Sequence, residues 1–397
     1  MREALKGVRV VDFTRVLSGP FCTAMLADMG AEVIKIEGPK GGADLARLDN
    51  GVTINGEALY FMTLNRNKKG IQLNLKKKEG IEIVKKLVKI SDVVVENNRP
   101  GVMEKLGIAY EDLKKINPSI IYAAISGFGR KSPFEHHPAF DIVAQAMSGI
   151  MSVNGFPENP PTKVGVALGD TASAIYTAFG IVVALYARKV YGIGQYIDVS
   201  MVDSIFSLLD MNLLKYLANG EVPTRIGSRH PTSYPFDAFE ASDGYFVIGT
   251  ATEKAFSNLC AMMGKPELHD QEEFKTDKAR STHADKLKPI IEQWSRQFTV
   301  EQVLEKLNAA MVPAGPVYDI GRIAESEHVK VREMLAEIDH PVAGKVKVVA
   351  TPVKLSETPA VVTRPSPLLG QHTEQVLEKT LGYTRGEIET LKAQNVI

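Results

Sequence analysis

Cysteine is nearly missing from this chain. Cys22 and Cys260 are the only two in 397 residues, and they stand far apart. A disulfide framework is thereby excluded, and so is a C-x-x-C metal or redox pair. Neither sign of charge is in excess, since 47 Lys plus Arg face 47 Asp plus Glu. That speaks against a nucleic-acid binder relying on bulk charge, while leaving room for a local basic pocket for phosphates. No signal-peptide apolar core follows Met1-Arg2-Glu3-Ala4-Leu5-Lys6, so a soluble, cytoplasmic protein is expected. The motifs G-x-G-x-x-G, P-loop, G-x-S-x-G and H-E-x-x-H are absent too. The first of these absences argues against a nicotinamide enzyme. His136 and His137, between Pro133 and Pro138, read as exposed loop histidines, and no metal site is expected.

What is present is an ordinary globular composition, with 44% hydrophobic and 24% charged residues, in a chain long enough for two domains. Residues 8–13 read as a strand, Ser18-Gly19-Pro20 opens a helix with Ser18 as its cap, and residues 31–37 form a second strand. This is a βαβ unit, so a parallel sheet follows. Further strands are expected at 71–75, 93–95, 120–125 and 196–200, with a helix over 77–89. The fold class is therefore α/β, with a Rossmann-like doubly wound sheet in a large domain of residues 1–200 plus 330–397. Pro223, Pro231 and Pro235 mark a change of composition. A smaller inserted α/β domain is expected at 225–325, with 201–224 and 326–345 as linkers. The uncharged run 171–187 is short for a membrane span and contains Thr, Ser and Gly, so it reads as a buried helix, with no membrane partner.

One carboxylate stands out. Asp170 follows Gly169 and precedes that uncharged run. It is either the helix N-cap or a nucleophile kept ionised at a helix start by the helix dipole. Lys68-Lys69 and Lys76-Lys77-Lys78 flank one strand, as a solvated face or as a diphosphate site. Asn97-Asn98-Arg99-Pro100-Gly101 ends another strand, as a plain turn or as a ligand loop.

The stretch Val10-Val11-Asp12-Phe13-Thr14-Arg15-Val16-Leu17-Ser18-Gly19-Pro20-Phe21-Cys22, running on to Gly30–Glu37, resembles the class III CoA-transferase family. Asn65-Arg66-Asn67-Lys68-Lys69, Val95-Glu96-Asn97, Arg99-Pro100-Gly101, Ser126-Gly127-Phe128-Gly129, Leu168-Gly169-Asp170 and Leu368-Leu369-Gly370 extend the match over nearly the whole chain. The resemblance implies transfer of CoA from an acyl-CoA to a small carboxylic acid, through mixed-anhydride and aspartyl-CoA thioester intermediates on Asp170. Coenzyme A is then a substrate, and neither a metal nor a nicotinamide is needed. It implies CoA contacts at Leu17, Ser18, Leu73, Asn74, Leu75, Lys76, Asn97, Asn98, Arg99 and Lys105. Asp141 matches an acidic residue near the CoA site, with a helix cap as its plain alternative. The family forms interlocked homodimers. Gly38 stands where many members have Arg, and Lys40 or the Lys68–Lys69 pair is expected to replace that contact. Residues 225–235 lack the glycine run of formyl-CoA transferase. The racemase-type relatives use a His beside an Asp as an acid/base; Phe140 before Asp141 cannot move a proton, so acyl-CoA isomerisation is the alternative of second rank.

Overall fold

Runs of β-branched residues buried on both faces make parallel strands. The computed structural model describes residues 2–39, 41–48, 51–250 and 252–397. β1 (Arg9–Asp12) leads through α1 (Ser18–Asp28) to β2 (Glu32–Glu37). α2 (Leu59–Asn65) precedes β3 (Lys69–Gln72), and α3 (Lys78–Lys89) leads to β4 (Val93–Glu96). β5 (Ile121–Ser126) is followed by α4 (Asp141–Met147), α5 (Leu168–Tyr191), β6 (Tyr196–Ser200) and α6 (Met201–Phe206). The strands run parallel in the order β3-β2-β1-β4-β5-β6. The chain thus winds one way from β1 and then the other, leaving a crevice at the carboxyl ends of β1 and β4.

Alternation along each strand feeds two apolar layers. Val11, Ile34, Val94 and Tyr122 pack with α3 through Ile83, Val84, Leu87 and Val88. Val10, Val33, Val93 and Ile121 pack on the other face with Cys22 and Leu26 of α1 and Ala174, Ile181 and Ala184 of α5.

Compact packing divides the chain into two units: residues 1–148, 164–208 and 329–397, and residues 149–163 with 209–328. The second unit contains α7 (Asp210–Asn219), then β7 (Phe236–Glu240) and β8 (Tyr245–Gly249). α8 (Glu253–Met262), α9 (Ala284–Ser295) and α10 (Val300–Ala309) follow, and then β9 (Ala314–Pro316). β7, β8 and β9 form an antiparallel sheet, whose core includes Phe239, Phe246, Phe256, Trp294 and Leu307. Residues 149–163 join this unit because the Arg225 guanidinium donates to the carbonyls of Phe156 and Asn159, and the Gly227 N–H to that of Gly155. The sequence reading had left them in the large domain.

Four sequence expectations are revised. The strand read at 71–75 ends at Gln72. Leu73 still donates to Glu37, but the Asn74 side chain accepts from the Lys76 N–H and turns the chain out of the sheet. The stretches read as linkers are structured: α6 and α7 occupy the first, and β10 (Leu335–His340) lies in the second. β10 pairs antiparallel with β11 (Gly344–Val349), and the hairpin buries Ile338, Val346 and Val348 against Met62. Ser18 is the first residue of α1 rather than its cap, which is Leu17. Finally, α5 is buried along one stripe only. Ile175, Phe179, Val182, Tyr186 and Val190 are exposed on it, with Phe179 67% and Tyr186 70% accessible.

The tail returns to the first third of the chain at several points, and Asn67 gathers several of the bonds. Asn67 has a left-handed φ of 64° and is buried. Its amide nitrogen donates to Asp28 and to the Val361 carbonyl, and its amide oxygen accepts from the N–H groups of Thr363 and Arg364. Because each such bond contributes on the order of 1 kcal/mol and alanine leaves buried partners unsatisfied, Asn67→Ala should lower stability by about 2–4 kcal/mol. Urea denaturation followed by circular dichroism reads that loss; an unchanged midpoint would remove Asn67 as the anchor of the tail.

Candidate active site

The turn from β1 into α1 is where the crevice begins. Its backbone groups between Thr14 and Val16 are held by side chains from other elements. The Asp12 carboxylate accepts from the Thr14 N–H at 2.8 Å and from the Thr14 hydroxyl. Its other oxygen accepts from Thr23 at 2.7 Å and from the Lys68 ammonium at 3.1 Å. Burial would push the Asp12 carboxyl up, but Lys68 and Lys35 beside it hold it below its ordinary value. The Asn97 side chain accepts from the Arg15 N–H at 2.8 Å, donates to the Arg15 carbonyl at 2.8 Å and donates to the Ser18 hydroxyl oxygen at 3.1 Å.

Asp170 faces this turn. It lies inside the first turn of α5, whose N-cap is Ala167. Its carboxylate is therefore not the cap of its own helix. Asp141 serves that end instead: one oxygen accepts from the Gly169 N–H at 2.7 Å, and the other from the Gln145 side chain at 2.7 Å. A cap 28 residues earlier in the chain frees Asp170 to point elsewhere. Burial, and then the negative charge of Asp141, push the Asp170 carboxyl up to about 6. The hydroxyl and backbone N–H of Ser18 are directed at it and pull the other way.

Two cavities open at the carboxyl ends of the strands. One, of about 170 Å³, is lined by Leu17, Ser18, Asn97, Arg99, Phe140 and Asp170 among others. The other, of about 490 Å³, is lined by Gly38, Leu73, Asn74, Leu75, Lys76 and Met103 among others. Arg15 and Asn98 line both. Of the residues singled out by sequence, Leu17, Ser18, Asn97, Asn98, Arg99 and Asp170 thus meet at the first cavity, and Leu73 to Lys76 with Asn98 at the second. Lys105 instead sits on the exposed side of the short helix Val102–Lys105, whose Val102 and Met103 face the second cavity.

The lysine pair is corrected on both of its readings. Lys68 is neither a solvated face nor a phosphate contact, because it is buried among Asp12, the Pro20 carbonyl and Asn65. Lys69 pairs with Glu32 at 2.6 Å. Lys40 lies outside the described residues. Gly38 donates to the Gly42 carbonyl at 2.9 Å, and a Cβ on Gly38 would meet the Gly42 backbone at 2.9 Å, so the chain folds tightly around this glycine. His137, read as an exposed loop histidine, also lines the smaller cavity, as does Glu135. Arg15 and Val16 were missed as site residues, although they lie inside the quoted motif.

With this geometry in place, the comparisons bear on one family. The description CoA-transferase family III matches residues 5–373. The chain belongs to that family. This CoA-transferase is 40% identical over 385 residues to the succinyl-CoA:mesaconate CoA-transferase of Haloarcula marismortui, covering 95% of this chain and 96% of that one. It is 42% identical over 351 residues to the acetyl-CoA:oxalate CoA-transferase of Acetobacter aceti, covering 88% of each. A CAIB/BAIF family protein of Brucella suis has the same fold, with a TM-score of 0.85 and 34% identity over 96% of this chain and 100% of that one.

The raised Asp170 carboxyl has a thermodynamic consequence. Its folded value lies above the ordinary value, so the stability it contributes is present in acid and is lost as pH rises through about 6. Asp170→Asn removes the charge and should stabilise the enzyme at pH 8 by about 1–2 kcal/mol, a figure discounted for partial solvent access. That gain should vanish near pH 3.8, the ordinary value of the group. Urea midpoints of both proteins at the two pH values check the sign, and a variant less stable at pH 8 would contradict it.

Proposed function

We propose that the transferase works through covalent catalysis by Asp170. The reading rests on one observation: a carboxylate released from helix capping, lining the smaller cavity, with the Ser18 N–H and hydroxyl directed at it. Asp170 attacks the thioester carbonyl of the donor acyl-CoA, forming a mixed anhydride and expelling the CoA thiolate. The thiolate attacks the Asp170 carbonyl, forming an aspartyl-CoA thioester and releasing the donor acid as its carboxylate. The acceptor carboxylate then attacks that thioester, giving a second anhydride and free thiolate. The thiolate finally attacks the acceptor's carbonyl, and Asp170 leaves as a carboxylate. Each step moves one acyl group between oxygen and sulfur, so thioester energy is conserved and no ATP is consumed.

In this reading the Ser18 N–H acts on the oxyanions that develop at the Asp170 carbonyl. The larger cavity, with Lys76 at its wall and Arg15 shared with the smaller one, suits the length of coenzyme A leading to a thioester near Asp170. The relatives that act on mesaconate and oxalate support a short organic acid as acceptor. Phe140, at the cavity wall, supplies no acid or base, which favours transfer over isomerisation. The exposed apolar stripe of α5 (Phe179, Val182, Tyr186) is the surface on which a second copy would pack in an interlocked homodimer. The two cysteines, both buried and unpaired, suit a cytoplasmic setting.

Asp170→Asn should abolish CoA exchange, by at least about a thousandfold as for loss of a nucleophile, while its melting curve stays cooperative. Wild-type enzyme mixed with donor alone should carry a CoA adduct, detected by mass spectrometry and cleaved by hydroxylamine; exchange surviving in the variant would end the covalent reading. Light scattering after size exclusion should give a mass of two chains, and Phe179→Glu combined with Tyr186→Glu should reduce it to one. A single-chain mass for the native protein would refute the dimer.

A further inference from the structure

Val16 is a β-branched residue at φ 65°, a conformation such side chains rarely adopt. It stands two residues before Ser18, in a turn whose backbone groups from Thr14 to Val16 bond with side chains. What holds it there is a buried ion pair. Asp44 accepts from the Val16 N–H at 2.9 Å on one oxygen and from the Lys35 ammonium at 2.9 Å on the other. Lys35 donates in turn to the Thr14 carbonyl at 2.8 Å. The two charges therefore grip the turn at points two residues apart, and both side chains are wholly shielded from solvent.

Asp44 is itself fixed. Its own N–H donates to Glu37 at 3.0 Å, and Glu37 receives the Arg47 guanidinium through bonds of 2.9 Å and 2.7 Å. Lys35 and Glu37 come from β2, the strand beside β1, and the pair bonds to the turn directly. The backbone at Val16 is thus held by the pair, two residues before the Ser18 N–H and hydroxyl. Left-handed backbone of this kind persists where the surroundings over-determine it, and it concentrates at functional sites.

We propose that Lys35 and Asp44 are positioning residues for this transferase: they hold Val16 in its left-handed conformation and so aim Ser18 at the Asp170 carboxylate. The proposal rests on the covalent reading of Asp170 and assigns how the opposing donors are kept in place. Neither Lys35 nor Asp44 lines either cavity, so the pair acts on turnover through geometry rather than through contact with acyl-CoA.

The test uses Asp44→Asn, which preserves volume but removes the partner of Lys35, and the double variant Asp44→Asn with Val16→Gly. Glycine takes positive φ without a clamp. For Asp44→Asn, kcat should fall at least tenfold while KM for the acyl-CoA donor changes less than threefold. Adding Val16→Gly should restore at least a third of the lost rate. A purely structural role would lower the melting temperature and the yield of active enzyme without responding to glycine at position 16. If Asp44→Asn does not fold, Lys35→Met with Asp44→Leu removes both charges together and leaves no buried charge unpaired; the same comparison with and without Val16→Gly then applies. Unchanged kcat in a folded variant overturns the proposal, as does a loss that glycine leaves untouched. Adduct formation on wild-type Asp170 is measured in parallel. If no adduct forms and Asp170→Asn stays active, the covalent reading has failed by itself, whereas an intact adduct with unresponsive pair variants locates the failure in the pair.

Discussion

The Asp12 carboxylate, at the carboxyl end of the central strand, is the contact on which the rest of the site is built. It is wholly buried and receives four donors: the Thr14 N–H and hydroxyl, the Thr23 hydroxyl of α1, and the Lys68 ammonium from the segment before β3. Removing a carboxylate from water is costly, and such a group stays charged only if its partners satisfy it. Here they do, and they come from three separate pieces of chain. Strand end, helix start and the entry to a neighbouring strand are thereby tied to one point. The crevice of a doubly wound sheet forms where the chain changes direction, and in this protein that place is also cross-braced by buried charge.

Around that anchor the chemistry is arranged by opposition. Acidic groups face Asp170 from α4, through Asp141, while donors face it from the β1–α1 turn, through Ser18. The result is a carboxyl that is harder to ionise than a free one and yet is ionised at neutral pH. Such a balance suits the role proposed for Asp170. Lys35 and Lys68 are close in the fold, but both are committed to Asp44 and Asp12.

Much of this was legible in the residues. The βαβ opening, most strand positions and the choice of Asp170 follow from alternation, turn residues and the family motif. What could not be read depends on partners remote in sequence. Lys68 looks like half of a surface lysine pair, because nothing near it announces a buried carboxylate 56 residues earlier. Asp170 looks like a helix cap until Asp141 is found to occupy that role. β10 was missed because Glu337 and Asp339 on its exposed side hide the alternation that buries Ile338 and His340. The span 73–75 alternates like a strand, but an asparagine side chain competes for its backbone and wins.

The insertion of residues 209–328 into the larger unit has a kinetic side. Asn67 bonds to residues 361–364, and the Asn74 N–H to the carbonyl of Val396. Residues that follow the second unit in the chain thus pack back onto the first sheet. Contacts of such long sequence separation close slowly, since loop entropy is lost before they form. The early strands must therefore wait, with an apolar face of β3 uncovered, while an entire second unit is synthesised and is free to fold first. The order of the segments thus leaves early apolar surface waiting for later chain, independently of how stable the finished enzyme is.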